Sequence, residues 1–332
     1  MRPRADKVRN KMNNYEVDAT EWFEQTFNAL VDNVSHVLYG KRHVIELAFI
    51  AMISEGHLLL EDYPGTGKTS LARAMAASLD GKSSRIQFTP DLLPGDVTGI
   101  TVYDQARKEF EFHAGPVFAN VVLADEINRA SPKTQSALLE VMEEDQVTVD
   151  GVTRPVGHPF LVVATQNPIE QAGTYRLPEA QLDRFLLKTS LGYPDMASTL
   201  QIIDGAGIKE ETLIPVVSPE QILAMTQIAD QVYVSPPIAD YIARIVEATR
   251  NAEQVRLGSS VRGAIGLARA AKARAASKGR DYVTPDDVKE LAVAVLSHRL
   301  ILEPDAEFDG VTEEQVVAQI LLDVQPPTEA TV

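Results

Sequence analysis

From Val44 onward, short apolar runs of strand length alternate with stretches that repeat at helical spacing. The strand-length runs are Leu58 to Leu60, Arg85 to Phe88, Val121 to Ala124, Phe160 to Ala164 and Phe185 to Lys188. Short apolar runs separated by helix-length segments predict a parallel sheet with helices on both faces, an α/β domain over residues 35–194. Beyond Pro194 the strand signal fades. Ser218-Pro219-Glu220, Ser235-Pro236-Pro237 and Thr284-Pro285-Asp286-Asp287 each place a capping hydroxyl before a proline in the first turn of a helix. Residues 195–332 are therefore expected to form a small all-α domain. Residues 1–34 read as a polar tail followed by a short helix, whose Trp22, Phe23, Phe27 and Leu30 make one apolar face that docks on the body.

Two hairpins interrupt the α/β pattern. Asp150-Gly151 in QVTVDGVTRPV is a strong signal for a two-residue turn. Earlier, Ile100 to Tyr103 is expected to run against Glu109 to Phe112, leaving Phe110 or Phe112 exposed.

Composition narrows the function classes. The 332 residues suffice for two cores, and neither a membrane-length apolar run nor a secretory leader is visible, so a soluble, cytoplasmic protein is expected. There is no cysteine, which excludes disulfides, thiolate metal sites and a cysteine nucleophile. The net charge of -16 would repel a phosphate backbone, making nucleic acid an unfavourable partner. One basic cluster, MRPRADKVRNK, opens the chain and reads as a solvated start. The six histidines lack metal-ligand spacing.

Candidate chemistry concentrates in EDYPGTGKTS, which follows the first strand and opens a helix. That order aims backbone N–H groups and a positive helix end at one point, as a polyphosphate requires. Pro64, Gly65, Thr66, Gly67, Lys68, Thr69 and Ser70 form the loop; Gly65 and Gly67 permit its curvature, Lys68 reaches the β and γ phosphates, and Thr69 holds Mg²⁺. Asp62 stands where the first glycine of G-x-x-x-x-G-K-[ST] belongs, and it tolerates unusual backbone angles. The strand in VVLADEINRA delivers Asp125 and Glu126 to its carboxyl end, where ligands of open α/β sheets bind. Asp125 suits a role in orienting Mg²⁺ and Glu126 one in polarising the attacking water. FLVVAT ends in Gln166 and Asn167, an amide that can hold that water without competing for its proton.

Together these residues resemble an AAA+ ATPase, and specifically the MoxR family. EDYPGTGKT, LADEINRASPKTQSALLEVMEE, ATQNPIEQAGTYRLPEAQLDRF and GSSVRGAIGLARAAKARA are similar to its phosphate loop, acidic strand end, first sensor with arginine region, and second sensor. Arg176 and Tyr63 depart from the family pattern and bear on local loop shape only. The resemblance implies an AAA+ P-loop parallel sheet flanked by helices and followed by a helical lid. It implies that Lys68, Thr69, Asp125, Glu126 and Asn167 take the roles above, and that Arg184 is an arginine finger presented to a neighbouring subunit. It further implies that Arg262 is the second sensor, extending from the lid to the same nucleotide and coupling lid angle to hydrolysis, that Tyr39 and Gly40 wrap the adenine, and that Arg129 is a candidate for an intersubunit contact. The hairpins would face a central pore or a partner.

The function so implied is Mg²⁺-dependent ATP hydrolysis by a homo-oligomeric, hexameric ring that remodels a protein client with a von Willebrand factor A domain protein. A metal-chelatase-type motor subunit and a non-hydrolysing, nucleotide-dependent scaffold are the alternatives; Glu126, Asn167 and Arg184 oppose the second.

Overall fold

A computed structural model describes residues 18–63, 65–167, 174–204 and 212–327. In chain order its first nine strands are β1 Leu58–Glu61, β2 Ser83–Gln87, β3 Gly99–Asp104, β4 Glu109–Ala114, β5 Val121–Asp125, β6 Gln146–Val149, β7 Val152–Pro155, β8 Leu161–Gln166 and β9 Leu187–Thr189. Five of them build one parallel sheet in the order β2-β5-β8-β1-β9. The other four are the two expected hairpins, β3 with β4 and β6 with β7. Asp150 and Gly151 both take positive φ in the second turn, as a two-residue hairpin loop requires.

Side-chain alternation along the strands divides the core into two layers. Leu58, Leu60, Leu123, Leu161 and Val163 pack with helices Ala19–Ser35, Arg42–Ile53 and Lys68–Ser78. Leu59, Val122, Ala124, Val162 and Ala164 pack on the other face with helix Pro132–Glu144. The N-terminal helix buries Phe23, Phe27 and Leu30 in the first layer and runs five helical turns rather than being short. The first 17 residues, with the basic cluster, lie outside the described residues.

Helices Pro219–Gln231, Pro236–Asn251, Val261–Ala276, Pro285–Leu296 and Glu313–Asp323 form the lid. Three start at the prolines singled out in the sequence, and Ser218 and Thr284 close capping boxes with Gln221 and Asp287. Asp287 is fully buried and accepts both Nη groups of Arg280, at 2.7 and 2.6 Å. The lid is not wholly helical: β10 Val255–Leu257 pairs with β11 Ile301–Leu302. Segments of three and two residues at helix ends are too short to carry a period-2 signal.

Two buried histidines lock the sheet to its neighbours. His57 Nδ1 accepts from the Val162 N–H (3.1 Å) and Nε2 donates to the Met142 carbonyl (3.0 Å), joining β8 to helix Pro132–Glu144. His298 Nε2 donates to the Phe185 carbonyl (2.9 Å), joining the lid to the segment before β9. Burial lowers their pKa values to about 4 and about 3. Both rings are thus neutral in the folded chain and titrate near 6.5 when unfolded. Their stabilisation is complete above that value and lost as pH falls toward the folded pKa values, at about 1.4 kcal/mol per pH unit for each ring. Urea midpoints should be level between pH 8 and 7 and decline steadily below 6.5. His57→Gln should flatten that decline by roughly one ring's share.

Candidate active site

The sheet order brings the carboxyl ends of β1, β8 and β5 side by side. Glu61 is in register with Gln166, and Asp62 N–H donates to the Gln166 carbonyl at 3.1 Å, so Asn167 leaves the sheet beside the start of the phosphate loop. The next strand, β5, ends at Asp125, one strand beyond β8 and roughly 10 Å from β1.

Gly65 (φ 83°) and Gly67 (φ 98°) both take left-handed backbone, and Gly67 caps helix Lys68–Ser78. A side chain at either would be strained by φ alone, so the loop depends on both glycines. Lys68 Nζ donates to the carbonyls of Tyr63 (3.1 Å) and Asp62 (3.4 Å), lying across the loop. Thr66 is buried and bonds the Tyr63 carbonyl at 3.4 Å, while Thr69 and Ser70 are half-buried in the first helical turn. Pro64 lies outside the described residues, as does 168–173 within the first-sensor motif.

Asp62 does more than tolerate the first-glycine position. Its buried carboxylate accepts from the Leu191 N–H (2.5 Å), Gly192 N–H (2.9 Å) and Ser190 Oγ (2.9 Å). The loop is thereby tied to the chain that leaves β9 for the lid. Tyr63 stacks on Tyr193 at 5.8 Å between ring centroids, so the second sequence departure strengthens the same tie. Lys41 Nζ donates to the Tyr193 carbonyl (2.8 Å), and Gly40 (φ 68°) packs against Ser198. Tyr39 and Gly40 thus lie on the loop's side of the molecule, connected to it through Tyr193.

Asp125 and Glu126 are held by three residues that sequence reasoning passed over. Thr165 Oγ1 donates to Asp125 (2.7 Å) and accepts from the Glu126 N–H (2.8 Å). Arg85 pairs with the other Asp125 oxygen at 2.6 Å. Gln87 Nε2 (3.0 Å) and Arg129 Nη1 (3.0 Å) both donate to Glu126 Oε2. Glu126 itself is left-handed, φ 56° and ψ 50°, which costs on the order of 1–3 kcal/mol for a non-glycine residue and concentrates at functional sites. The polar Thr165 inside an otherwise apolar strand, and Arg85 and Gln87 alternating along β2, were the signals available.

Hard oxygen donors at Thr69 and Asp125 fit Mg²⁺ rather than a transition metal. Both Asp125 oxygens already accept hydrogen bonds, so Asp125 suits contact with Mg²⁺ through water. Among the described residues no three His, Asp or Glu side chains cluster as a ligand set.

The arginines lie elsewhere. A 330 Å³ cleft is lined by Gly56, His57, Glu143, Arg184, Arg262 and Arg299. Gly56 and His57 precede β1, whereas the phosphate loop follows it, and the four residues of β1 set His57 roughly 16 Å from Asp62. Arg184 Nη2 pairs with Glu143 Oε2 at 2.9 Å, and Arg262 Nη2 with Glu143 Oε1 at 3.0 Å. Arg262 thus stands beside Arg184, at the end of the sheet opposite the loop of its own chain. The lid docks against Leu186, where Gly266 leaves room, and that contact sets helix Val261–Ala276 over the entrance of β1.

The hairpins meet one another. The Arg154 guanidinium lies 3.9 Å above the Phe112 ring, and Phe112 packs edge-on to Phe118, so Phe110 is the exposed aromatic, at 75%. No helix among the described residues is long and apolar enough to cross a membrane.

Comparison with known proteins agrees with this architecture. Residues 57–187 match the model of the ATPase family associated with various cellular activities (AAA), and residues 247–320 match the AAA lid domain. The chain is 43% identical over 311 residues to "Chaperone MoxR1" of Mycobacterium tuberculosis, covering 91% of this chain and 82% of that protein. It is 48% identical over 304 residues to the protein YeaC of Bacillus subtilis, covering 90% and 94%. A crystal structure of a candidate ATPase from Cytophaga hutchinsonii superposes with a TM-score of 0.88 at 39% identity, covering 97% of this chain and 99% of that one. With the parallel sheet, the glycine loop, the acidic strand end and the helical lid all in place, the chain belongs to the MoxR family of AAA+ ATPases.

Proposed function

We propose that the chain is one subunit of a hexameric ring that hydrolyses ATP with Mg²⁺ at sites shared between neighbours. The cycle would remodel a protein client together with a von Willebrand factor A domain partner. The observation that carries the shared site is the placement of Arg184 and Arg262 at the end of β1 opposite the phosphate loop. An ATP on Lys68 cannot meet Arg184 of its own chain, whereas a head-to-tail ring sets each loop against a neighbour's arginines. The chaperone reading is supported by the name of the Mycobacterium relative, and the von Willebrand partner by family resemblance.

In this reading Lys68 leaves the carbonyls of Asp62 and Tyr63 for the β and γ phosphates. Thr69 and Asp125 would hold Mg²⁺, which would supply positive charge to the phosphate oxygens. Glu126 takes the proton of the attacking water, and Asn167 orients that water. Gln87 and Arg129 both hold Oε2 of Glu126, orienting the carboxylate, and its other oxygen is left to accept the proton. Tyr39 and Gly40 border the adenine. The neighbour's Arg184 and Arg262 balance the transition-state charge.

ATP turnover per subunit, measured across a wide concentration range with molar mass recorded on the same samples in ATP and Mg²⁺, tests this reading. Turnover per subunit should rise as rings form and then level off. Constant turnover from a monomer would leave no role for a neighbour's arginine.

A further inference from the structure

We propose that Glu143 is a positioning residue that sets Arg184 and Arg262 side by side, so that one subunit offers them to its neighbour as a single cationic unit. The inference rests on the shared-site reading and adds to it the group that makes the two arginines act together.

The geometry is that of one carboxylate between two guanidinium groups. Each Glu143 oxygen takes a different arginine, Oε2 from Arg184 at 2.9 Å and Oε1 from Arg262 at 3.0 Å. Arg184 meets Glu143 through one Nη, so the rest of its planar fork remains to meet a phosphate. Without the carboxylate, two like charges this close would repel and their long side chains would spread over many rotamers.

The backbone beneath is fixed by a separate set of contacts. Arg299, with its side chain 3% exposed, ion-pairs with Asp183 and donates Nη2 to the Phe185 carbonyl at 2.7 Å and Nη1 to the Asp183 carbonyl at 3.1 Å. Arg184 therefore sits between two anchored residues, and only its side chain needs orienting. Glu143 also lies at the far end of helix Pro132–Glu144, whose first turn follows Glu126 and the turn Ile127–Arg129. One rigid rod, roughly 20 Å long, links the catalytic carboxylate of a subunit to the arginines it presents.

The test compares Glu143→Ala, Arg184→Ala and the double variant at saturating ATP, at concentrations where molar mass shows assembled rings. Glu143→Ala should lower kcat by roughly 10- to 100-fold, the scale of a misplaced catalytic group. It should leave ATP affinity and assembly unchanged, and the double variant should be slower than Arg184→Ala by no more than the loss that Arg262→Ala alone causes. Glu143→Gln, which keeps the shape and one accepting oxygen, should fall between Glu143→Ala and the unaltered chain. A structural defect would not be repaired by mixing. Rings mixed from Glu143→Ala and Lys68→Ala chains should recover turnover, because Lys68→Ala subunits supply intact arginines to the intact loops of their neighbours.

Unchanged or raised kcat in Glu143→Ala, with Arg184→Ala inactive, would overturn the role of Glu143 and leave the shared site standing. Failure of the mixture to recover, where a mixture of Arg184→Ala with Lys68→Ala does recover, would place the Glu143 defect within its own chain and overturn the proposal. Full activity of Arg184→Ala would instead remove the shared-site reading on which it rests.

Discussion

Lys68→Ala should lose ATP binding, whereas Glu126→Gln should bind ATP and stall at hydrolysis. Lys68 supplies charge-assisted contacts to the phosphates, each worth about 1.5–3 kcal/mol, and losing two of them weakens binding by roughly 10²-fold or more. Its ammonium is carried by a loop whose shape rests on Gly65, Gly67 and the Asp62 tie to Leu191 and Gly192, none of which the substitution touches. The fold and thermal midpoint should therefore hold. Glu126→Gln keeps an oxygen to accept from Gln87 and Arg129 but is no base, and kcat should fall by about 10²- to 10⁴-fold at undiminished affinity. Titration with a fluorescent ATP analogue, paired with phosphate release, separates the two outcomes. Unaltered turnover in Glu126→Gln would move the base elsewhere.

Arg184→Ala should lower kcat by about 10³-fold or more in assembled rings, the range measured when an arginine finger is removed. The side chain is partly exposed and its pair with Glu143 is a half-solvated one, so folding stability should change by less than about 1 kcal/mol. ATP affinity should be little altered, because the binding loop belongs to the other subunit of each interface. Arg262→Ala should show the same pattern with a smaller loss, since Arg262 is the more exposed of the two and is also shared with Asp183. Steady-state turnover at saturating ATP, with molar mass measured in parallel, distinguishes a lost finger from a lost ring.

Much of the fold was legible because each strand carries its own signal. Leu58–Leu60 and Val121–Ala124 are buried on both faces and read as unbroken apolar runs, and the prolines at 219, 236 and 285 mark helix starts by fixed φ. The β10–β11 pair was invisible, being set by where two lid helices end. In the site, the loop and acidic strand end were legible because local order alone dictates them. The second tier was not. The sequence around Asp62 shows only its backbone tolerance, while its partners Ser190, Leu191 and Gly192 lie some 130 residues away in the chain. Where Arg262 sits against the sheet was illegible for the same reason: which face a lid covers is decided by contacts such as Gly266 against Leu186, and periodicity cannot express them.

The central claim is that each hydrolytic site is built from two subunits, and mixing two inactive chains tests it most directly. Arg184→Ala chains keep an intact loop, and Lys68→Ala chains keep intact arginines. In rings assembled from equal amounts, about a quarter of the head-to-tail interfaces should unite the two intact halves. Turnover should therefore reappear on mixing, to about that fraction of the unaltered ring if the interfaces act independently. A mixture as inactive as its components, with mixed rings verified by mass, would contradict a shared site and return the arginines to a role within their own chain.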